Sequence, residues 1–462
     1  MSQSLSNRDD ALGSAPIGKL ILKLALPSVI AQLVNMLYNI VDRMYIGHIP
    51  EIGASALTGL GVCFPIIVVI SSFSAFVGMG GAPLAAIRMG EKDHKGAEKI
   101  LGNSVTMLLF FSVVLFLGFF LFKNPLLYLF GASNDTIVFA ESYLTIYLYG
   151  TLFVQFALGL NPFITCQGQA RVAMLSVVIG AACNIVLDPI FIFALNMGVR
   201  GAALATILSQ AVSAAWVVRF LLSDDTAIRI RTSNLRPDKA IILHSASLGI
   251  SPFVMQVTEG AIVMVFNSGL KFYGGDLHVG AMTILSSVMQ LIKVPIQGIS
   301  SGIQPIISYN YGAKNFDRVE SAVKKSVIII MTATILCCLL TQLFPTFFGR
   351  IFNDDPDLIA LVGKTLPIFT GGVWIFGFQM AFQSAFVGMG QAKVSVFLAV
   401  FRKIILLIPL ALLLPRWLGV TGIYWSEPIA DVISAVTCAI LFLIRYPIIK
   451  RDRLAAPENP IS

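Results

Sequence analysis

The sequence predicts an all-α polytopic membrane protein whose twelve transmembrane helices form two parallel six-helix repeats. Composition is the first reason, because 56% of the 462 residues are hydrophobic and 12% are charged, whereas a soluble domain has roughly 25% charged residues. The second reason is a series of long apolar runs of about 20 residues or more, the length that crosses ~30 Å of hydrocarbon. The third reason is an internal duplication of the sequence.

The apolar runs can be divided into twelve spans that are long enough to cross a bilayer as helices. A transmembrane β-barrel would instead show short segments of alternating hydrophobicity, which this sequence does not contain. The predicted spans are residues 18–47, 52–86, 97–122, 134–167, 172–196, 199–223, 240–270, 278–310, 318–343, 357–389, 394–415 and 419–446.

The duplication is visible in motifs that recur at an almost constant spacing. Gly168 in CQGQARV and Gly390 in GMGQAKV are 222 residues apart, as are Pro83 and Pro305. Two further matches lie at spacings of 221 and 225 residues. Because each half has an even number of spans, both halves enter the membrane from the same side. This parallel arrangement is typical of secondary transporters that rock around a central cavity.

Basic residues are distributed unevenly between the two sides of the predicted helix bundle. One side carries 24 Lys and Arg residues and the other carries six. The richer side is expected to be cytoplasmic, which predicts a multi-pass membrane protein with both termini inside. The net charge of +8 then reflects topology, and we expect no nucleic-acid partner. The predicted regions are an N-terminal tail (1–17), an N-lobe (18–223), a cytoplasmic linker (224–239), a C-lobe (240–446) and a C-terminal tail (447–462).

Two aspartates of the first half lie inside long apolar stretches, several residues from the ends of their spans. Asp42 belongs to the first span and Asp188 to the fifth. A carboxylate in hydrocarbon is costly, and such residues usually serve an ion, proton or substrate pathway. The alternative is that both carboxylates only join helices, satisfied by neighbouring hydroxyl and amide groups.

Helix geometry places these acids near the depth of two other polar residues. At 1.5 Å per residue, Asp188 and Thr206 lie roughly 12 Å below the outer ends of their spans and Asp42 roughly 8 Å. Asn184 is one turn from Asp188 on the same face. Carboxylate, amide and hydroxyl oxygens suit Na⁺ or a shared proton, so these four residues are the predicted coupling site and the candidate Na⁺ ligands. Alternatively, each bonds only its own helix or a neighbour. The second half has Asn267 in place of Asp42.

The second half carries acids of its own. Glu427 and Asp431 are one turn apart in the twelfth span and share a face. They either contribute to cation binding or form a buried pair with Lys293 or Arg402 that holds helices together, and the sequence leaves both options open. Glu259 in the seventh span has fewer evident partners, which favours a functional role for it.

The sequence offers no motif of an enzyme or of a cofactor site. No Gly-rich phosphate loop is present, so we expect neither nucleotide nor any other cofactor beyond a coupling ion. None of the three Asp-Asp pairs, at positions 9–10, 224–225 and 354–355, is followed by the third acid of the DDxxD metal motif of a prenyl transferase. The six cysteines lie in apolar segments without metal-ligand spacing and are interpreted as packing residues. The polar N-terminus shows no cleavable apolar segment.

Four segments carry a resemblance to a known family: LALPSVIAQLVNMLYNIVDRMYIGH, CQGQARVAM, CNIVLDPIFIFALNMGVRGAALATILSQ and ISYNYGAKN. With them, the chain resembles the MATE (multidrug and toxic compound extrusion) transporters, and most closely their MepA-like bacterial branch. The resemblance extends from Lys19 to Tyr446. It implies two six-helix lobes in a V shape, a location in the bacterial cytoplasmic membrane, and export of drugs in exchange for H⁺ or Na⁺.

The resemblance also implies which residues line the cavities. One departure is in the tenth span, WIFGFQMAFQSAF, which lacks the cation-binding Asp of some relatives. Glu259 lies within one residue of a functional Glu in other relatives. The substrate-cavity residues predicted on this basis, and from the polar residues of the second half, are Pro27, Tyr38, Tyr143, Asn161, Glu259, Asn267, Gln379 and Gln383.

The leading functional hypothesis is secondary active efflux of amphipathic organic cations, by alternating access between the two lobes and in exchange for H⁺ or Na⁺. We expect small-molecule drugs as substrates and a monomer in the lipid bilayer as the working unit. The alternative is a flippase of a lipid-linked precursor from the same superfamily. A flippase needs basic residues in its cavity to hold a pyrophosphate, whereas this sequence offers mainly acids, with Lys293 in the middle of a second-half span.

Overall fold

The computed structural model describes residues 11–352 and 354–456, so the outer parts of both predicted tails lie outside it. The first half contains α1 (Ile17–Gly47), α2 (Gly53–Gly90), α3 (His94–Leu129), α4 (Ile137–Tyr149), α5 (Thr151–Thr165), α6 (Ala170–Pro189) and α7 (Val199–Leu222). The second half contains α8 (Lys239–Gly274), α9 (Asp276–Gly312), α10 (Phe316–Leu343), α11 (Pro345–Phe352), α12 (Pro356–Phe369), α13 (Val373–Gly388), α14 (Ala392–Val400), α15 (Ile408–Leu413), α16 (Pro415–Leu418) and α17 (Thr421–Ala455). Two π-helical segments, Ile190–Ala194 and Phe401–Leu407, follow α6 and α14.

The described residues contain ten continuous helical stretches that are long and apolar enough to cross a bilayer, and two bent pairs that raise the number to twelve. The pair α4 and α5 is bent by 60° and the pair α12 and α13 by 47°. Glycines allow close packing at both bends, since a Cβ on Gly150 would lie 2.3 Å from the Ile207 side chain and one on Gly372 2.7 Å from the Pro428 backbone. The twelve predicted spans agree with this arrangement. The last helix continues to Ala455, nine residues into the predicted C-terminal tail.

The backbone repeats the duplication seen in the sequence. Lys92 and Lys314, 222 residues apart, both have positive φ, at 64° and 56°. Gly168 and Gly390, at the same spacing, have φ values of 79° and 71°. Positive φ is uncommon outside glycine, so its recurrence at equivalent lysines shows that the same type of loop connects equivalent helices in both halves.

The hydrophobic core is shared by the two halves at one end of the molecule and divided at the other. One cluster of buried side chains combines Leu24, Met89 and Ile164 of the first half with Ile306 and Phe386 of the second. Two further clusters are each confined to a single half. The molecule is therefore a V of two lobes. We call the joined end, which also holds the linker, the closed end, and the opposite end the open end.

Glycines bring the backbones of the lobes together at the closed end. A Cβ on Gly90 would lie 2.0 Å from the carbonyl oxygen of Tyr309, and a Cβ on Gly312 would lie 2.0 Å from that of Ile87. The two contacts are related by the 222-residue spacing of the repeat. They are thus equivalent about a pseudo-twofold axis that passes between α2 and α9.

Polar contacts also join the two lobes at the closed end. Near the end of α17, Arg453 donates to the Glu91 carboxylate of the N-lobe and, at 3.2 Å, to the carbonyl of Gly312. Arg318 in α10 donates to the carbonyl of Ala15 at 2.7 Å, which holds the N-terminal segment against the C-lobe. The contact between Arg453 and Glu91 thus joins the last helix of the C-lobe to the N-lobe at the closed end.

The linker is bound along the N-lobe. Arg231 donates to the Glu98 carboxylate at 2.6 Å, and the amide oxygen of Gln167 accepts a hydrogen bond from the hydroxyl of Thr226 at 2.6 Å. Gln167 and Thr226 are both buried, where an unmade hydrogen bond is costly. The linker is therefore expected to move with the N-lobe.

Candidate functional site

The N-lobe contains a pair of buried carboxyl groups in contact. Asp42 of α1 is 8% exposed and Asp188 of α6 is 0% exposed. Their carboxyl groups lie within hydrogen-bonding reach of each other, and among the described residues no ion pair compensates either of them. Two such groups cannot share a low-dielectric site while both are charged unless a cation lies between them. We call these residues the N-lobe acid pair.

Unpaired oxygens converge around the N-lobe acid pair. The Asn184 amide donates to Asp188 Oδ1 at 3.3 Å, which leaves its own Oδ1 as an acceptor. Among the described residues, Asp42 Oδ1, Asn184 Oδ1 and Asp188 Oδ2 are all buried without a hydrogen-bond partner. The Thr206 hydroxyl donates to the Ala202 carbonyl at 3.0 Å and so presents only lone pairs to the site. This donor set fits Na⁺ or a proton held between oxygens.

The helix that carries Asp188 is irregular directly after it. Pro189 has no N–H to donate to the preceding turn, and Ile190–Ala194 continues as a π-helix. The turn closes with a hydrogen bond of 2.8 Å from the Leu195 N–H to the Ile190 carbonyl. Such wide turns are frequent at functional sites, and here the turn lets α6 bend next to the acid pair.

A cavity of about 40 Å³ adjoins the acid pair on the side of Asn184 and Thr206. Its wall includes Tyr38, whose hydroxyl bonds Gln210, together with Asn184 and Thr206. The rest of the wall is made mainly of small residues, because α6 and α7 pack closely here. The small residues are Ala157, Ser176, Gly180, Ala181, Ser209 and Ser213.

The C-lobe contains a network of charged side chains in place of such a cavity. Arg402, in the π-helical segment, donates to Asp431 Oδ1 at 3.0 and 2.5 Å and to Glu427 Oε1 at 3.0 Å. Its guanidinium also lies 4.7 Å from the centre of the Phe376 ring. The side chains of Arg402, Glu427 and Asp431 are 2%, 5% and 0% exposed. The packing role that the sequence allowed for Glu427 and Asp431 is thus the one that these contacts provide.

Two lysines connect this core to Glu259. Lys293 lies 3.5 Å from Glu427 and 3.9 Å from Glu259, and Lys403 forms a short ion pair with Glu259. Glu259 therefore has two basic partners, although its sequence context suggested few. Six residues form what we call the C-lobe ion network: Glu259, Lys293, Arg402, Lys403, Glu427 and Asp431.

The comparison with known proteins identifies the architecture. The sequence model of the MatE family matches residues 27–190 and 250–413, one stretch in each lobe. The chain belongs to the MatE family. It is 25% identical to the multidrug export protein MepA of Staphylococcus haemolyticus over 419 aligned residues. The alignment covers 91% of this chain and 92% of that protein. It is also 22% identical to MepA of Staphylococcus aureus strain MSSA476 over 447 aligned residues, and this alignment covers 97% of each protein.

A solved structure agrees with the family assignment. A multidrug resistance MATE family transporter of the MOP superfamily, in an outward-facing conformation, has a TM-score of 0.88 and 25% identity and covers 95% of this chain and 98% of that chain. The V-shaped fold is thus shown, and this MatE protein is a multi-pass membrane transporter and not an enzyme.

The other N-lobe residues that were predicted to line the substrate cavity lie at different positions in the structure. Tyr143 of α4 is buried and bonds the Thr206 hydroxyl, so it belongs to the acid site. Asn161 of α5 lies behind the cavity wall, where its amide donates to Oγ of the wall residue Ser176 at 2.7 Å. Pro27 is buried near the closed end, in the segment of α1 that packs against α9, away from the acid pair.

The C-lobe residues that were predicted to line the cavity do not lie together at one site. Gln379 is 1% exposed and accepts a hydrogen bond from Ser434 at 2.6 Å, and Gln383 is also buried and donates to Ser251 at 3.2 Å. Both glutamines therefore lie buried between helices of the C-lobe, and among the described residues the side-chain oxygen of Gln383 has no hydrogen-bond partner. Asn267 is partly exposed in α8, two turns beyond Glu259.

Two features of the transporter were missed by sequence reasoning. Gln210 follows Thr206 by one turn and Asn35 precedes Tyr38 by three residues, and both line the N-lobe cavity. Extending each polar face by one helical turn would have found them.

The second feature is a correction to the count of basic residues. The 24 residues counted on the basic side include Arg402 and Lys403, but these two are 1% and 4% exposed and pair with acids of the C-lobe. Without these two residues, one side of the helix bundle has 22 basic residues and the other has six. The same side therefore remains the more basic one.

The repeat explains why the lobes differ. At the 222-residue spacing, Arg402 corresponds to Gly180, which lines the N-lobe cavity. At the 221-residue spacing that relates the glycines before α7 and α17, Glu427 corresponds to Thr206 and Asp431 to Gln210. The space that is empty in the N-lobe is therefore filled in the C-lobe by Arg402 and its two acids.

Proposed function

We propose that this transporter exports amphipathic organic cations in exchange for H⁺ or Na⁺, with the N-lobe acid pair as the coupling site. The observation that carries the proposal is the contact between two buried carboxyl groups without a compensating ion pair among the described residues. Such a pair needs a proton or a cation to be stable. Because Asn184 and Thr206 border both the pair and the cavity, a cationic substrate in the cavity and the coupling ion would compete for the same charge, as antiport requires.

The proposed orientation places the closed end in the cytoplasm. The excess of basic residues at the termini, the linker and the neighbouring loops supports this orientation. The V then opens to the outside, in keeping with the outward-facing relative of similar fold. Alternating access would open the contacts between Gly90 and Tyr309 and between Gly312 and Ile87, and close the opposite end. Each chain contains both repeats, so a monomer suffices as the transport unit in the bilayer.

The rival hypothesis, a lipid flippase, draws less support. The C-lobe ion network does contain three bases, but each contacts an acid. The network of three bases and three acids has no net charge to hold a pyrophosphate. The described wall of the N-lobe cavity contains no basic residue, and the acid pair beside it would repel a pyrophosphate.

The proposal is tested by transport of tetraphenylphosphonium, a lipophilic cation, in vesicles with separately imposed H⁺ and Na⁺ gradients. We expect one of the gradients to drive transport, which identifies the coupling ion. Asp188→Asn should reduce gradient-driven transport to the level of protein-free vesicles. It should keep the fold, since it removes a buried charge that no ion pair compensates.

The matched control is Asp135→Asn, the same change at an exposed loop residue, which should transport as the unchanged protein does. Normal gradient-driven transport by Asp188→Asn at equal reconstitution would overturn the assignment of the coupling site. If neither gradient drives transport by the unchanged protein, antiport of this cation is wrong.

A further inference from the structure

The C-lobe ion network has one member that is far more exposed than the others. The Glu259 side chain is 54% exposed and that of Lys293 is 20% exposed, whereas Lys403 is 5% exposed. The two acids bound to Arg402 are 5% exposed or less. A carboxylate that is half exposed can leave its partners at low cost, whereas a buried one cannot.

The charges of the network divide into a fixed part and an exchangeable part. Arg402 is held between two buried acids, and Lys293 compensates the second acid through its 3.5 Å contact with Glu427. This fixed part is neutral. The remaining ion pair is Lys403 with Glu259. If the Glu259 carboxylate turns away, a buried ammonium is left without its main partner, and the site carries one net positive charge.

The exchangeable part lies at the edge of the space between the lobes. On α8, Phe253 is in contact with the N-lobe, with its ring centre 5.0 Å from that of Phe73, and Glu259 follows six residues later toward the open end. On α9, Gly298 contacts Val29 of the N-lobe, and Lys293 precedes it by five residues in the same direction. Glu259 and Lys293 therefore lie one to two helical turns beyond these contacts, at a level where the lobes have begun to separate.

We infer that the C-lobe contains a binding subsite for an organic anion, in which the carboxylate of an amphipathic ligand replaces that of Glu259 on Lys403 and Lys293. Glu259 is then an internal competitor that keeps the lysines neutralised when no ligand is bound. Met255, one turn before Glu259 on the same face, provides an apolar contact for the rest of the ligand. The wide π-helical turn at Phe401–Leu407 lets two adjacent residues serve both parts of the network, since Arg402 reaches α17 while Lys403 reaches α8.

This subsite is opposite in charge to the proposed cation site of the N-lobe and does not depend on it. It would widen the substrate range from lipophilic cations to amphipathic carboxylates, including compounds that carry both charges. A carboxylate on two lysines forms charge-assisted hydrogen bonds, which are stronger than neutral ones.

The test is equilibrium binding of 2-naphthoate to the purified full-length transporter in detergent, with the uncharged 2-naphthamide as the ligand control. Glu259→Gln removes the competitor and should tighten 2-naphthoate binding by about tenfold, the size expected for one charge-assisted hydrogen bond. Lys293→Gln should weaken it by a similar factor. Neither change should alter binding of 2-naphthamide.

The matched control variant is Lys123→Gln, which breaks a lysine–glutamate ion pair of 3.0 Å in the N-lobe and should leave 2-naphthoate binding unchanged. The melting temperature verifies folding of each variant, and if Lys293→Gln does not fold, the Glu259→Gln result decides. Unchanged or weaker 2-naphthoate binding by Glu259→Gln would overturn the inference. Loss of tetraphenylphosphonium binding in that variant without any gain for 2-naphthoate would instead make Glu259 a cation anchor.

Discussion

The glycine contacts at the closed end allow a direct test of how the lobes move. Gly90→Ala would place a Cβ 2.0 Å from the Tyr309 carbonyl oxygen, at least 1.0 Å closer than the 3.0 Å below which Cβ contacts essentially never occur. Both partners are backbone atoms in long helices, so no side chain can turn aside. The lobes themselves must separate at this end by about that distance, or the helices must shift.

The size of the effect follows from the cost of overpacking. Forcing an extra methyl group into a packed contact typically costs about 1–3 kcal/mol, and the cost applies only to the conformation in which this end is closed. The equilibrium should therefore shift toward the opposite conformation by roughly 5- to 150-fold. Gly312→Ala should act in the same way, since it meets the Ile87 carbonyl at the same distance of 2.0 Å.

Cysteine labelling measures this shift. Ser245 is 1% exposed on α8, and its carbonyl lies against Gly80 of the N-lobe. In a variant without native cysteines, Ser245→Cys should react faster with a maleimide when Gly90→Ala is also present. The matched control is Gly118→Ala, a helical glycine with open space around its Cβ position. Labelling and transport that are the same in Gly90→Ala and Gly118→Ala would refute the proposal that this contact must open and close.

Three further predictions concern ion pairs and topology. Arg402→Met should lower the free energy of unfolding by about 3–5 kcal/mol, because two buried acids lose their shared partner. The melting temperature should fall accordingly, and an unchanged melting temperature would show that the network does not stabilise the fold. Glu91→Arg and Arg453→Glu should each lower the transport rate, because the pair joins the lobes at the closed end. The double variant restores an ion pair and should regain part of the lost rate. Losses of transport rate that simply add in the double variant would contradict a direct interaction. A cysteine at Ser233 should be inaccessible to an impermeant maleimide in intact cells while one at position 350 reacts; equal labelling would reverse or exclude the proposed topology.

Class, spans and duplication could be predicted from the sequence because each depends on a local chemical property. The length of an apolar run fixes whether a helix can cross a bilayer, and the 222-residue spacing of Gly168 and Gly390 is visible without any contact. The level of the acid site could also be predicted, since the rise per residue sets the depth of Asp42 and Asp188. The structure brings these two acids into contact.

The interior of the C-lobe could not be predicted in this way. Lys403 pairs with Glu259 across 144 residues of sequence, and Arg402 fills the space that Gly180 leaves open in the other lobe. Which side chains meet depends on how each helix is rotated about its axis, and a helix that is apolar on all faces carries no periodic signal for that rotation. A π-helical segment changes the rotation again. The sequence by itself therefore determined the depth of the charged groups, and tertiary packing alone decided their partners.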